Sequence, residues 1–88
     1  MSGKPCRADI INYLVAVCVK NNVTPEKAAF AGLIREACAD KFVMDKYKAK
    51  SYVSTLISSW RLSRWRTWVR DSPYLTFEEK ERWLEQHE

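Results

Sequence analysis

The 88-residue chain has only two glycines, three prolines and one histidine, and it lacks a long hydrophobic run. So few glycines exclude a sandwich of many short strands, which needs frequent tight turns. Helix is therefore the better expectation. The longest apolar run, from Ile10 to Val19, is shorter than the roughly 20 residues that cross a membrane, and no signal-cleavage site follows it. We expect a soluble protein in the cytoplasm, as part of the nucleoid, or in the nucleus, with no membrane partner.

The cysteines are also few: Cys6, Cys18 and Cys38 are an odd number without close spacing, which does not fit a disulfide framework. A zinc site would need His87 as a fourth ligand, without the paired ligands about two to four residues apart that structural zinc sites have. Equally absent are a glycine-rich phosphate loop and a pair of carboxylates in an apolar context. The sequence thus predicts no metal, no cofactor and no enzymatic activity.

What the chain does have is an uneven distribution of charge. The overall net charge of +4 divides into +1 for residues 1–40, +7 for residues 41–70 and −4 for residues 71–88. A bland solvated surface would mix the two signs more evenly. Because lysine and arginine neutralise phosphates and release counterions, the basic middle predicts nucleic acid as a partner.

Local signals predict a single domain over residues 1–88, with a flexible arm at 1–5. The apolar pattern from about Arg7 predicts a first helix that ends at Asn21-Asn22. This helix is apolar nearly all round, with Val15 and Val19 outside its main face. Such a helix is either covered on several sides or used in self-association, and the second interpretation predicts a homodimer through the N-terminal helix.

The second and third helices begin at capping signals. Thr24 as N-cap and Pro25 as first helical residue predict a second helix over about 25–40. A short apolar connection at 42–44 follows, and Asp45 is an N-cap for a third helix that reaches about Trp60. At 100° per residue the third helix has one stripe to bury: Ala49, Val53, Leu56, Ile57 and Trp60.

The opposite face of the third helix is rich in hydroxyl groups and flanked by lysines. Ordinary solvent-facing positions hold glutamate, lysine and glutamine, whereas serine and threonine are only middling helix formers. Small hydroxyl side chains suit a helix that lies in a groove, where they donate hydrogen bonds. The candidate binding residues here are Lys46, Tyr47, Lys48, Lys50, Ser51, Ser54, Thr55 and Ser58.

Residues 61–70 have two interpretations. As a strand, Trp65, Thr67 and Val69 face inward, and Trp68 is exposed among arginines, which makes it a candidate for stacking on a base. As a helix, Leu62, Trp65, Trp68 and Val69 share one side. Periodicity alone leaves both open. The candidate binding residues of this segment are Arg61, Arg64, Arg66, Trp68 and Arg70.

The last segment is acidic. A turn at 71–73 precedes Thr76 and Glu79, which have the spacing of a capping box and predict a helix over about 77–86 within an acidic stretch, 77–88. We expect Phe77, Trp83 and Leu84 to pack, and Trp60 and Trp65 to join the core. The acidic helix is a solvated surface, a competitor for the basic surface of the same chain, or the docking site of a protein partner.

The order of helix, helix, connection, hydroxyl-faced helix, arginine-rich possible strand, turn and helix resembles the winged helix-turn-helix class of DNA-binding domains over residues 7–86. The resemblance implies a mainly α domain of three to four helices, a recognition helix at 46–60 and a short β wing at 61–75. It implies duplex DNA binding by a transcription regulator or a chromosome- or replication-associated factor. Two alternatives are a protein-interaction module or accessory subunit of a larger nucleic-acid-handling complex, and a binder of single-stranded nucleic acid or RNA.

Overall fold

The computed structural model describes residues 6–60 and 62–87, so the arm at 1–5 and Arg61 lie outside it. The mainly α expectation is confirmed, but the described residues form five helices rather than three or four, and no strand. None of these helices is long and apolar enough to cross a membrane. In chain order they are α1 (Arg7–Asn21), α2 (Ala28–Phe42), α3 (Lys46–Ser58), α4 (Ser63–Asp71) and α5 (Phe77–Gln86).

Helix α1 is the centre of the fold. It contacts α2, α3, α4 and α5, and the side chains of Leu14 and Val15 are 0% exposed. Val19, half-buried, packs against the same core. The all-round apolar pattern therefore matches a helix that is covered on several sides within one chain, and the feature that predicted a homodimer is accounted for without one.

The predicted start of the second helix is wrong. Pro25 and Glu26 form a turn, and α2 begins at Ala28 after the N-cap residue Lys27, which makes no side-chain capping bond. Pro25 is buried in the core instead of opening a helix. Burial of the proline ring thus outweighs the local capping signal, since most helix stability in proteins comes from tertiary packing. The helix ends at Phe42, two residues beyond the prediction.

The connection from α2 to α3 has an unusual backbone. Val43 has φ 51° and ψ 56°, the left-handed region, which is unfavourable for a β-branched residue. Its side chain is 91% exposed. Asp45 then caps α3 as predicted, because its Oδ1 accepts a hydrogen bond of 2.7 Å from the backbone N–H of Lys48.

The β wing expected at 61–75 is not formed. Over the described part of that range the chain is helix α4 followed by a turn. Trp65 and Val69 are buried, whereas Thr67, which a strand would turn inward, is exposed. The indole N–H of Trp65 donates to the carbonyl oxygen of Leu56 at 3.1 Å. This bond and the burial of Trp65 tie α4 to the end of α3, which no local pattern could show.

All four tryptophans lie in one aromatic cluster. The ring centroids of Trp60 and Trp65 are 4.7 Å apart, and Trp83 stacks on Trp65 at 6.2 Å. Trp68 lies 6.3 Å from Trp65, and the ring of His87 stacks on Trp83 at 4.2 Å. Trp65 is buried as expected, but Trp60 follows the end of α3 and is half-buried. The cluster joins α4 and α5 to the end of α3.

The capping box of α5 is confirmed. The backbone N–H of Glu79 donates to Thr76 Oγ1 at 3.2 Å, and the N–H of Thr76 donates to Glu79 Oε1 at 2.9 Å. Trp83 is buried and Leu84 is half-buried against the core. Phe77 does not pack as predicted, because its side chain is 73% exposed.

Candidate nucleic-acid interface

The face of α3 that carries the candidate residues is turned to solvent. The buried residues Ala49, Val53 and Leu56 hold the other side of the helix against α1 and α2. Ile57, predicted to be buried, is 40% exposed, and Tyr47 is 86% exposed. Thr55 is half-buried, and the other candidates on α3 are exposed: Lys46, Tyr47, Lys48, Lys50, Ser51, Ser54 and Ser58.

Three hydroxyl groups of this face donate to carbonyl oxygens of the helix itself. Ser51 donates to the carbonyl oxygen of Lys48 at 2.8 Å, Thr55 to that of Ser51 at 3.1 Å, and Ser58 to that of Thr55 at 3.1 Å. Such bonds are common for serine and threonine inside helices. The hydroxyls therefore present acceptor oxygens, and a donated bond to a ligand requires rotation away from the carbonyl. This refines the expectation of free donors.

The three lysines at the start of α3 differ in their surroundings. Lys46 Nζ lies 3.9 Å from Glu36 Oε1, with both side chains largely exposed, and exposed pairs of this kind contribute little. Among the residues that the structure describes, Lys48 and Lys50 form no ion pair. Two of the three ammonium groups beside the hydroxyl face thus have no carboxylate to compete with a phosphate.

The arginines do not share one surface, as they would on a strand. On helix α4, Arg66 and Arg70 are four residues apart on one side, and Arg64 lies on nearly the opposite side. One guanidinium nitrogen of Arg66 donates to the carbonyl oxygen of His87 at 2.8 Å, at the end of α5. Arg64 instead lines a cleft between α1, α3 and α4. Arg64 is therefore the arginine of α4 that lies beside α3, while Arg61 is outside the described residues.

Trp68 is not the exposed stacking platform that the strand interpretation predicted. It is half-buried on α4 and packs against the core. The rest of its surface lines the cleft that Arg64 also lines. Any contact of a base with Trp68 would therefore be made inside this cleft and not on an open surface.

One basic residue of this region was missed in the sequence because it lies far from the basic middle. Arg7, the first residue of α1, lines the same cleft. Its Nη2 is 3.5 Å from Thr55 Oγ1, at the outer limit of a hydrogen bond, and its Cζ lies 5.7 Å from the centroid of the Tyr52 ring. Only the packing of α1 beside α3 brings these residues together, so spacing along the chain gave no signal.

The two buried cysteines, Cys18 and Cys38, contribute no reactive group to this surface. Cys18 and Cys38 are buried free thiols, and burial raises the pKa of Cys18 to about 12. Desolvation also raises the pKa of Cys38. The two thiols pack as small hydrophobic groups. Within residues 6–60 and 62–87, no three histidine, cysteine, aspartate or glutamate side chains are grouped closely enough to hold a metal ion.

The candidate surface thus consists of two adjoining parts. The outer face of α3 has hydroxyl oxygens and two lysines, Lys48 and Lys50, that form no ion pair with any described residue. The neighbouring cleft is lined by Arg7, Arg64 and Trp68. Comparison of the chain with protein-family models, with curated proteins and with solved structures gave no match.

Proposed function

We propose that this protein binds nucleic acid, preferentially duplex DNA, through the outward face of α3. The observation that carries the proposal is the solvent-facing side of α3, where short hydroxyl side chains lie beside Lys48 and Lys50. Within residues 6–60 and 62–87 neither lysine is ion-paired with a carboxylate. A major groove about 12 Å wide admits an α-helix. With 13 residues, α3 is about 20 Å long, enough to follow such a groove while the lysines contact phosphates.

The arrangement of α2 and α3 supports the same proposal. The two helices pack against each other and are joined by only three residues, 43–45. A helix pair of this kind is how helix-turn-helix proteins present their second helix to the major groove. A transcription regulator or a chromosome- or replication-associated factor is the class of protein that would use it, in the nucleoid or the nucleus.

The first test measures binding of the full chain to a fluorescent duplex of about 20 base pairs at several salt concentrations, with fluorescence anisotropy as the readout. We expect log K to fall with log salt at a slope steeper than about −3, because several phosphates are neutralised. Single-stranded DNA and RNA of the same length serve as competitors. A flat salt response would contradict the proposal and favour a protein-docking role for α5, where Phe77 is 73% exposed in an acidic segment.

The second test locates the interface. The double variant Ser51→Glu/Ser54→Glu places carboxylates against phosphates, and we expect its duplex affinity to fall at least 100-fold at low salt. The matched control is Ala28→Glu/Ala29→Glu, which changes the net charge equally at two exposed positions of α2. Circular dichroism verifies that both variants are folded. A folded Ser51/Ser54 variant that binds as tightly as the control would show that α3 is not the interface.

A third comparison separates the arginines. Arg64→Ala should weaken binding to every duplex alike and flatten the salt slope by about one unit. Arg66→Ala should have a smaller effect, because one nitrogen of Arg66 already donates to the carbonyl of His87. An equal loss in the two variants would instead support a continuous basic surface across α4.

A further inference from the structure

The cleft between α1, α3 and α4 has a volume of about 580 Å³, within the range of roughly 300–1,000 Å³ that small-molecule sites occupy. One face of α4 lines it with Arg64, Thr67, Trp68 and Asp71. Their spacing of three, four and seven residues from Arg64 puts all four on the same side of the helix. The cleft therefore contains a cation, a hydroxyl, an indole and a carboxylate in a fixed order along α4.

One end of the cleft is cationic. Arg64 stands in the first turn of α4, and Arg7, at the start of α1, reaches Thr55 on α3 at 3.5 Å. In the part of the chain that the structure describes, neither arginine has a carboxylate within the 4.0 Å of an ion pair. The guanidinium group presents five donors in a planar fork that matches a phosphate. This end is suited to a phosphate group.

The other end offers hydrogen-bonding groups that are not cationic. Asp71 is in the last turn of α4, about 10 Å from Arg64 along the helix axis. Asn12 lies at the same end, because the hydroxyl of Ser72, the residue after Asp71, donates to the carbonyl oxygen of Asn12 at 2.9 Å. Trp68 stands between the two ends, one turn before Asp71. An ionised aspartate only accepts hydrogen bonds, so this end favours a ligand with amino groups.

We propose that this cleft binds a single unstacked nucleotide. The phosphate lies between Arg7 and Arg64, the base contacts Trp68, and an exocyclic amino group of the base donates to Asp71. Bases with an amino group are therefore preferred over uracil and thymine. The nucleotide is either free or an unpaired residue of a bound strand; the second source rests on the proposed nucleic-acid binding, and the experiment separates the two.

The direct test is an NMR titration of the full chain with free nucleotides, in which the indole N–H signals of the tryptophans report binding. We expect adenosine 5′-monophosphate to bind at least tenfold more tightly than inorganic phosphate and at least threefold more tightly than uridine 5′-monophosphate. The Trp68 signal should shift, while that of Trp65 stays in place because its N–H is already bonded to Leu56. Equal affinities for phosphate and for the two nucleotides would overturn the proposal.

Variants at exposed positions test the two ends separately. Arg64→Gln should lower the affinity for adenosine 5′-monophosphate at least tenfold, and Asp71→Asn should remove the preference over uridine 5′-monophosphate. The matched control is Arg66→Gln, on the other side of α4, which should bind within twofold of the parent. An Arg64→Gln protein that remains folded and keeps the parent affinity would refute the phosphate site.

The source of the nucleotide is decided with two duplexes, one fully paired and one with a single bulged adenosine. Tighter binding of the bulged duplex, lost in Asp71→Asn, identifies an unpaired nucleotide of a strand as the ligand. Binding of the free nucleotide without duplex binding supports the cleft and contradicts the α3 interface. Binding of both duplexes with equal affinity, without binding of the free nucleotide, supports the α3 interface and overturns the cleft.

Discussion

Helices α1 and α3 are similar in length but are stabilised in different ways. Helix α1 buries six of its 15 residues, contacts all the other described helices, and has no side-chain hydrogen bond at its N-cap, Cys6. Helix α3 buries three of its 13 residues and is capped by Asp45. Packing against the other helices thus determines which side chains α1 can carry. The outward side chains of α3 are not constrained by packing and are available for binding. Five predictions sharpen or break this comparison.

The largest difference is expected from truncation of the two apolar faces. Leu14→Ala in α1 removes a side chain that is 0% exposed and should lower the free energy of unfolding by about 2–5 kcal/mol. Ile57→Ala in α3, where the side chain is 40% exposed, should lower it by less than about 1 kcal/mol. Urea denaturation measures both. Equal losses would show that α3 is packed as tightly as α1.

Thiol reactivity gives the next largest contrast. The pKa of Cys18 in α1 is raised from 9.0 to about 12 by desolvation, so at neutral pH its thiolate fraction is about a thousandfold lower than usual. Cys6, exposed before α1, should be labelled by a thiol reagent in the native protein, and Cys18 only on unfolding. Rapid labelling of Cys18 in the native protein, detected by mass spectrometry of peptides, would contradict the packing of α1.

The same shift predicts a pH dependence of stability. Because the folded state holds the Cys18 proton more tightly than the unfolded state does, the stability is unaffected below about pH 9 and declines as the pH rises toward 12. Cys18→Ala should reduce this alkaline decline and leave only the contribution of Cys38, whose pKa is also raised by desolvation, apart from a constant loss due to the smaller volume of alanine. Thermal unfolding as a function of pH measures it.

Removal of the N-cap side chain should destabilise the protein more at α3 than at α1, the reverse of the apolar truncations, and by a smaller amount. Asp45→Ala removes the bond to the Lys48 N–H and should lower the stability by about 1 kcal/mol. Cys6→Ala and Thr24→Ala should change it little, since neither side chain caps a helix. A loss at Thr24 as large as the loss at Asp45 would show that residues 24–27 contribute a cap to α2 after all.

The smallest effect on stability is expected from the ion pair at the C-terminal end of α1. Lys20 pairs with Glu79 of α5 at 3.0 Å, and the pKa of Glu79 is lowered, first by the backbone N–H of Thr76 and then by Lys20. Because the pKa of Glu79 is lower in the folded than in the unfolded protein, the ionised carboxylate stabilises the fold above the unfolded pKa of 4.5. This contribution to stability is lost as the pH falls below that value. Glu79→Gln should therefore flatten the acid side of the stability profile slightly. Glu36→Gln, at the exposed pair with Lys46, is the control and should leave the profile unchanged.

Local sequence signals predicted several elements correctly because the interactions involved span only a few residues. The caps at Asp45 and Thr76 and the end of α1 at Asn22 are of this kind. The hydroxyl-rich face of α3 was also correctly placed outward, since it lies opposite the apolar stripe on a helical wheel. The start of α2 was not, because Pro25 is buried and does not take the first helical position, and local capping signals do not record burial.

What the sequence determined by itself is thus the helical class, two of the caps and the identity of the outward side chains of α3, all of which follow from local hydrogen bonding and periodicity. Only the tertiary structure decided that residues 63–71 are helical, because that choice depends on the burial of Trp65 and on its bond to Leu56. That helix in turn separates Arg64 from Arg66 and places Arg64 on the cleft that Arg7 also lines. The cleft exists only because helices distant in sequence pack against one another, which no local pattern records.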